Sequence, residues 1–245
     1  MGSFDIHIRS FGEQAIIITW PDRVEEAILE DIIAYKTHLQ DTAFNSEAWE
    51  LVAAYNSLTL INNQQSINLD QCEEILSNSY KSKWKNKTVT RWLWKLPVCY
   101  DTSFGIDLEE VAANLQMSVE EVVHMHTRQP YLVYGIGFLP GFMYLGGLPK
   151  TLETPRKSTP RLEVHKGSVG LAGKQTGVYP QVSPGGWNII GNCPIPIFNV
   201  SKDPPCFIGV GDRVQFYKIS KAAYELHQIE AEVGIYNIEK QKWND

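Results

Sequence analysis

The feature that most constrains the fold is a long stretch, Tyr131 to Tyr217, in which short apolar runs alternate with glycine and proline every several residues. This texture is typical of a β-barrel or β-sandwich and not of repeated strand–helix–strand units. Two short helices are predicted just before it. Each has a capping-box pattern, Asp107 with Glu110 and Ser118 with Glu121.

The first part of the chain has longer periodic segments. The predicted elements are strands Asp5–Ser10 and Gln14–Trp20, a helix whose capping box is Asp22 with Glu25, strands Glu50–Tyr55 and Leu58–Asn62, and a helix starting near Asn68. This order predicts helices packed on one face of an antiparallel sheet. The fold class is therefore α+β.

A domain boundary is predicted in the polar segment Lys85–Thr88. It separates a small α+β domain, residues 1–88, from a β-barrel domain, residues 89–245, which also carries the two short helices. Strand Arg91–Cys99 leads into the second domain, with Trp92, Trp94 and Leu96 alternating along it.

Charge and cysteine usage exclude several classes of protein. The formal net charge is −6 and the charged fraction is 20%, so nucleic-acid binding, which depends on neutralising phosphates, is not expected. The four cysteines form no Cys-x-x-Cys pair, which argues against a disulfide framework or a zinc site. Charged residues in Met1–Arg9, where a signal peptide needs an apolar run, and the lack of about 18 consecutive apolar residues predict a cytoplasmic protein that is neither secreted nor membrane-spanning.

The segment Thr151–Gln175 is locally basic. It holds five Lys and Arg residues and two Glu residues, a net +3 inside an acidic chain. Glycine permits close backbone approach and proline fixes the chain, so such loops can present backbone N–H groups to an anion. The alternative is that glycine and proline only shape barrel turns and that the charges are solvated. The residues alone leave both interpretations open.

Several well-defined functional motifs are excluded by their spacing or by their structural context. Gly167–Lys174 resembles a phosphate-binding loop, but five residues separate its glycines where the motif has four, and Gln175 replaces the magnesium-binding Ser or Thr. Gly135-x-Gly137 does not enter a helix. His124 and His126 would face different directions on a helix and are predicted to be core or surface residues. No catalytic triad or metal site is found.

The blocks between Tyr131 and Asn199 together resemble one family. They read Gly137-Phe-Leu-Pro-Gly-Phe142, Thr154-Pro-Arg with Thr159-Pro-Arg161, Gly167-Ser-Val-Gly170 and Ser183-Pro-Gly-Gly-Trp187, followed by Gly211-Asp-Arg-Val-Gln-Phe216. In this order they resemble the carboxyltransferase-like family that contains the 5-oxoprolinase B subunits, the sporulation kinase-A inhibitor and allophanate hydrolase subunit 1. The resemblance implies a cyclophilin-like β-barrel in the second domain.

The resemblance also implies a function. It suggests a non-autonomous subunit of an ATP-dependent amide hydrolase that opens 5-oxoproline to L-glutamate, with a homologue of the 5-oxoprolinase C subunit and a third hydrolase subunit for partners. ATP would act at the level of the complex, and neither metal nor biotin is expected on this chain. The alternatives are a regulatory protein that inhibits a histidine kinase and a carboxyltransferase-like subunit of urea or allophanate metabolism.

No catalytic residue is assigned, but a substrate- or anion-binding cleft is predicted. Its candidate residues are Arg156, Arg161, Gly173, Gln175, Tyr179, Ser183, Gly185, Gly186 and Trp187. The arginines, with backbone N–H groups near Gly173 and Gly186, would stabilise developing negative charge. The chain departs from the family pattern at Gly191-Asn192-Cys193-Pro194, where the family usually reads Gly-Arg-Thr-Pro, at Asn199 in place of aspartate, and at Gly12-Glu13 in place of Gly-Asp.

Overall fold

The structure, a computed structural model, describes residues 4–82 and 89–243. The chain divides into two compact units, Met1–Thr90 and Arg91–Asp245, and each contains its own β-sheet. The predicted boundary segment, Lys85–Thr88, lies outside the described residues.

The first unit has the predicted β-β-α-β-β-α order. Its elements are β1 (His7–Ser10), β2 (Ala15–Thr19), α1 (Glu26–Asp41), β3 (Trp49–Ala54), β4 (Ser57–Asn62) and α2 (Leu69–Lys81). The four antiparallel strands form a sheet in the order β1-β2-β4-β3. Ile16 lies opposite Leu60, and Ile18 lies opposite Leu58. All four side chains are fully buried, because alternate residues of a strand face the same side of the sheet.

The predicted start of α1 is wrong. The helix begins at Glu26, and neither Asp22 nor Glu25 makes a capping-box hydrogen bond. The backbone N–H of Arg23 instead donates to the Pro21 carbonyl, and the Arg23 guanidinium lies 3.5 Å from the Glu25 carboxylate. A turn therefore occupies the positions that the pattern gave to the first helical turn. The start of α2 is confirmed, since the Asn68 side chain caps it by accepting from the Gln71 N–H.

The second unit is built around a closed barrel of seven strands. Its elements in chain order are β5 (Arg91–Cys99), α3 (Leu108–Leu115), α4 (Val119–Thr127), β6 (Tyr131–Ile136), β7 (Met143–Gly146), a 3-10 turn (Lys150–Leu152), β8 (Arg161–Val164), β9 (Ser168–Ala172), β10 (Gln175–Val178), β11 (Ser183–Gly185), β12 (Asn188–Asn192), β13 (Arg213–Ile219), α5 (Lys221–Glu232) and β14 (Lys240–Trp243). The barrel order is β12-β9-β10-β7-β6-β13-β5, and β12 closes onto β5 where Asn192 lies opposite Cys99. This confirms the α+β class with a small α+β unit followed by a β-barrel.

Strand β5 has two further neighbours, the barrel strand β13 and the additional strand β14. It runs parallel to β13 from Leu93 to Cys99, and β14 pairs with its first half in the antiparallel sense. The Lys240 ammonium lies 4.4 Å from the Trp92 ring centroid and 4.8 Å from that of Trp94. Cation–aromatic contact therefore adds to the backbone pairing between β14 and β5.

The barrel core is mainly apolar and contains a polar network around His126. The apolar side chains come from all seven strands and include Leu96, Val98, Val133, Leu145, Val169, Leu171, Val178, Ile190, Val214 and Phe216. His126 of α4 is fully buried among them, with Nδ1 2.7 Å from the Tyr100 hydroxyl and Nε2 2.8 Å from the Thr176 hydroxyl. His124 on the same helix is exposed. The histidine prediction is thus confirmed, one residue being core and the other surface.

Of the two capping boxes predicted in this unit, one is confirmed. The Ser118 hydroxyl accepts from the Glu121 N–H, and the Glu121 carboxylate accepts from the Ser118 N–H. Asp107 does precede α3, but its side chain makes no capping hydrogen bond. The Asp107 carboxylate instead contacts Lys157, Arg161 and Ile189, which lie far along the chain.

Helix α5 and strand β14 were not predicted. Strand β14 consists of Lys240, Gln241, Lys242 and Trp243, so it lacks the apolar alternation by which strands are recognised. Helix α5 does carry Leu226 and Ile229 at helical spacing, but both side chains are exposed. Within residues 4–82 and 89–243 no helix combines the length and apolarity needed to cross a membrane.

Candidate functional site

Two of the predicted site side chains, Tyr179 and Trp187, pack against Phe142, the last residue of the Gly-Phe-Leu-Pro-Gly-Phe block, and a third, Arg156, lies next to Trp187. The rings of Tyr179 and Trp187 lie edge-on to Phe142, with centroids 5.2 and 5.4 Å away. The Arg156 guanidinium lies over the Trp187 ring at 5.9 Å. The motif residues therefore form a buried aromatic cluster with one cation at its outer side.

The buried phenol of Tyr179 is held by its surroundings. Burial raises the pKa of Tyr179, while a hydrogen bond with the Trp187 backbone and the charges of Arg156 and Arg161 act in the opposite direction. A Cβ atom added at Gly185 would lie 2.3 Å from the Tyr179 hydroxyl, so only glycine fits there. The geometry places both arginines in the electrostatic environment of this phenol.

Gly186 and Ser183 each make a local hydrogen bond. The Gly186 carbonyl accepts from the Lys157 N–H at 2.8 Å, which fastens Thr154–Arg161, the segment with both Pro-Arg pairs (the Pro-Arg loop), to the β11–β12 connection. Ser183 lies opposite Val164 in the two-stranded ribbon of β8 and β11. Its hydroxyl is buried and donates to the Pro184 carbonyl at 3.2 Å. The Ser183 hydroxyl therefore already has a hydrogen-bond acceptor within the protein, the Pro184 carbonyl.

Arg161 pairs with the carboxylate of Asp107, which the sequence pattern predicted to cap a helix. Its guanidinium pairs with Asp107 Oδ1, whose side chain is 3% exposed, and lies 3.5 Å from the Trp187 carbonyl. The Lys157 ammonium lies 3.1 Å from the same Oδ1 and 2.9 Å from Glu110. Hydrogen bonds to Glu110 and Asp107 raise the pKa of Lys157. The predicted Asp107–Glu110 capping box is therefore wrong, because both carboxylates bind cations of the Pro-Arg loop.

Gly173 and Gln175 belong to the β9–β10 hairpin and not to the aromatic cluster. Gly173 has a φ of +57° and its N–H donates to the Thr154 carbonyl at 2.7 Å, so this N–H is already committed and is not the anion donor we expected. Gln175 lies in the barrel ladder, opposite Ala172 on one side and Gly146 on the other.

A cleft of about 530 Å³ opens beside Arg156. Its lining comes from α3, from the Pro-Arg loop and from the start of β12, namely Glu110, Asn114, Leu115, Glu153, Thr154, Pro155, Arg156, Lys157, Ser158, Thr159 and Asn188. The buried Asn188 amide donates to the Pro155 carbonyl at 2.9 Å and to the Leu171 carbonyl at 3.2 Å. It holds the loop against the barrel. Arg156 is the predicted site side chain that this cleft contains.

Sequence reasoning missed Asp107, Lys157 and Asn188 as parts of this region. Lys157 stands between two Pro-Arg repeats and contributes to the local positive charge, which was the available signal. Asp107 looked like a helix cap. Asn188 follows the Ser-Pro-Gly-Gly-Trp block directly, but nothing in the pattern showed that its amide would anchor Pro155.

The segment that resembles a phosphate-binding loop, Gly167–Lys174, does not form a glycine-rich cradle for ATP. The segment that resembles a phosphate-binding loop forms strand β9, which is buried along its whole length and pairs with β10 and β12. Strand residues use their N–H groups in the ladder and cannot wrap a phosphate. Within the described part of the chain, no group of three or more His, Cys, Asp or Glu side chains is placed to hold a metal ion.

Comparison with known proteins agrees with these motifs. The family described as carboxyltransferase domain, subdomain C and D, matches residues 6–208. A curated relative, the 5-oxoprolinase B subunit of Bacillus subtilis (strain 168), is 36% identical over 235 residues, which cover 91% of this chain and 97% of the relative.

Solved structures show the same fold inside longer chains. TTHA0988 superposes with a TM-score of 0.72 at 30% identity, covering 87% of this chain and 40% of that one. Kluyveromyces lactis urea carboxylase gives a TM-score of 0.78 at 18% identity, covering 99% of this chain and 24% of that one, and this shows the fold alone. The chain spans less than half the length of both proteins. From its motifs, its barrel and its curated relatives, the chain belongs to the carboxyltransferase subdomain C and D family, together with the 5-oxoprolinase B subunits.

Proposed function

We propose that this chain is the B subunit of a 5-oxoprolinase, an assembly that opens the lactam of 5-oxoproline to give L-glutamate with the consumption of ATP. The observation that carries the proposal is the match with a curated B subunit along 97% of the relative's length. A match of this extent includes both units of the chain and is not confined to a shared barrel. The proposal places ATP use in the assembly, whose other members would be a C-subunit homologue and a third hydrolase subunit.

The geometry supports a binding role for this chain within that assembly. The cleft beside Arg156 presents an exposed guanidinium, the hydroxyl groups of Ser158 and Thr159 and the Glu153 carboxylate. These groups can bind and orient a small polar substrate. The described residues do not include a nucleophile paired with a general base in this cleft, so the cleft itself does not supply complete hydrolytic machinery.

Carboxyl transfer in urea metabolism is the second candidate. It is suggested by the description of the matching family as a carboxyltransferase domain, whereas the likeness to urea carboxylase at 18% identity concerns the fold alone. Inhibition of a histidine kinase is the third. It rests on the family resemblance and has no structural feature of its own.

One purification experiment separates the three candidates. The tagged chain would be recovered from its native cell together with bound proteins. A C-subunit homologue is expected. Recovery of a biotin carboxylase would favour the second candidate, recovery of a histidine kinase would favour the third, and either would contradict the proposal.

An activity assay then tests the reaction. We expect the chain alone to be inactive and the chain mixed with its recovered partners to form glutamate from 5-oxoproline only when ATP is added. Turnover by the isolated chain would contradict the dependent-subunit role. Lack of turnover by the complete mixture would contradict the proposed reaction.

A further inference from the structure

We propose that the cleft beside Arg156 is a binding site for a small carboxylate, with the Arg156 guanidinium as its anchor, and that Arg161 is a structural residue outside this site. The choice of 5-oxoproline as the carboxylate rests on the proposed function. The carboxylate site itself rests on the contacts of the two arginines.

The two arginines of the Pro-Arg repeat differ in their partners. The Arg161 guanidinium pairs with the buried Asp107 carboxylate and also contacts the Trp187 carbonyl. A second carboxylate would have to compete with Asp107. Arg156 is exposed, and within residues 4–82 and 89–243 no carboxylate forms an ion pair with it. Its charge is available for a ligand.

The Arg156 guanidinium lies over the Trp187 indole, which is itself held by packing. The indole is 5% exposed and fixed edge-on against Phe142, so it is a rigid platform for the guanidinium that lies over it at 5.9 Å. A cation–aromatic contact uses the charge of a guanidinium and not its N–H hydrogen bonds. The contact with Trp187 therefore leaves the N–H groups of Arg156 available to bind a planar carboxylate through two hydrogen bonds.

The other charged groups of the cleft narrow the kind of ligand. The Lys157 ammonium is held by Asp107 and Glu110, which leaves Arg156 and Glu153 as the remaining charged side chains of the lining. A ligand that carries both a carboxylate and an N–H group could bind Arg156 through its carboxylate and Glu153 through its N–H group. The volume of about 530 Å³ lies within the range of small-molecule sites. A lactam that bears a carboxylate, such as 5-oxoproline, has both groups.

The test is a titration of the full chain followed by NMR at the Trp187 indole N–H and the Asn188 side-chain amide. The probes are 5-oxoproline, acetate and 2-pyrrolidinone, which is the same lactam without its carboxylate. We expect saturable shifts with 5-oxoproline, weaker binding of acetate and no binding of 2-pyrrolidinone. Arg156→Gln should weaken 5-oxoproline binding roughly ten- to a hundredfold, as expected for the loss of a charged hydrogen-bonded pair.

Arg213→Gln is the matched control. Arg213 also stacks on a tryptophan, with its guanidinium 4.6 Å from the Trp243 ring centroid, but it does not line the cleft. The affinity of this variant for 5-oxoproline should equal that of the wild type. If Arg156→Gln disturbs the fold, Arg156→Lys keeps the charge without the planar fork and should still weaken binding.

The outcomes separate this proposal from the proposed function. Unchanged affinity in the Arg156 variants, equal binding of 2-pyrrolidinone, or no carboxylate binding by the wild type would each overturn the site. Acetate binding that depends on Arg156, without binding of 5-oxoproline, would support the carboxylate site and contradict the 5-oxoprolinase assignment.

Discussion

Asp107 and Ile189 exchange two hydrogen bonds. The Asp107 N–H donates to the Ile189 carbonyl at 2.9 Å, and the Ile189 N–H donates to Asp107 Oδ2 at 2.7 Å. The second carboxylate oxygen, Oδ1, holds Arg161 and Lys157. One buried carboxylate therefore joins the start of α3, strand β12 and the Pro-Arg loop.

The first prediction concerns this carboxylate. Asp107→Asn should destabilise the protein by about 1–3 kcal/mol, because it removes the charge that two cations share. Arg161→Gln should also destabilise it, and the double variant should lose less than the sum of the two, with a coupling of about 1 kcal/mol. Urea unfolding of the four proteins measures this cycle.

The control for the cycle is Glu110→Gln. The Glu110 side chain is 62% exposed, so its pair with Lys157 should contribute at most about 1 kcal/mol. Strictly additive losses for Asp107→Asn and Arg161→Gln would show that their contact is not energetically coupled.

Two neighbouring glycines provide the second prediction. In Gly185→Ala the new methyl group would lie 2.3 Å from the Tyr179 hydroxyl, whereas in Gly186→Ala its nearest neighbour would be 3.6 Å away. Only the first change must displace the buried tyrosine. We expect Gly185→Ala to cost about 1–3 kcal/mol, as overpacking does, and to change the aromatic circular dichroism. Gly186→Ala should leave both nearly unchanged, and similar effects of the two changes would contradict this packing.

The third prediction is a dependence of stability on pH. Burial lowers the pKa of His126 to about 3, below the value of about 6.5 that applies in the unfolded chain. Between these two values the unfolded state binds a proton that the folded state does not, so the stability contributed by neutral His126 is lost as pH falls from about 6.5 towards 3. The slope from this one group approaches about 1.4 kcal/mol per pH unit.

Comparison of variants isolates this group from the carboxylates that titrate nearby. Free energies of unfolding at pH 4.5, 5.5, 6.5 and 7.5 should fall less steeply with acid in His126→Gln than in the wild type. His124→Gln changes an exposed residue of the same helix and should keep the wild-type slope. Equal slopes in all three proteins would mean that His126 does not contribute.

The His126 network also predicts one tautomer. The Thr176 hydroxyl donates to the Gly170 carbonyl at 3.0 Å, so its oxygen must accept from His126 Nε2–H. Nδ1 is then unprotonated and accepts from the Tyr100 hydroxyl. Nitrogen NMR of the imidazole should therefore show the Nε2–H form, and the Nδ1–H form would refute this arrangement.

The fourth prediction concerns Asn192, where the chain departs from its family. The side-chain amide donates to the Lys166 carbonyl at 3.0 Å, and its oxygen accepts from the Tyr224 hydroxyl at 3.0 Å. Asn192→Leu breaks both bonds in a buried position and should cost about 1–3 kcal/mol. Tyr224→Phe removes one and should cost about 0.5–1.5 kcal/mol. Thermal unfolding compares them, and equal losses would show that the Lys166 contact contributes little.

Local signals in the sequence were sufficient for much of the fold. Glycine and proline spacing predicted the barrel, and the Ser118 capping box was correct because both of its partners lie within one helical turn. Asp107 shows the same pattern, but its partners Lys157, Arg161 and Ile189 lie far along the chain. Local sequence patterns do not show whether a carboxylate at a helix start caps that helix or pairs with residues far along the chain.

The candidate site was predictable as a region and not residue by residue. The motif blocks place Arg156, Tyr179 and Trp187 beside one another, and whether they bind a ligand stays a prediction. The N–H of Gly173 was expected to be free, yet it is bound to Thr154. Which donors remain available depends on tertiary partners, and these can be seen only once the barrel is closed.

The pairing of β5 has a consequence for biosynthesis. This strand is the first of the barrel to leave the ribosome, but β13 and β14, which flank it, are made near the end of the second unit. Until then the nascent chain carries an unpaired strand edge beside Trp92 and Trp94, a surface on which another chain can pair. Synthesis of β13 and β14, and not the formation of the early helices, therefore sets the earliest moment at which both edges of β5 can be paired within this unit.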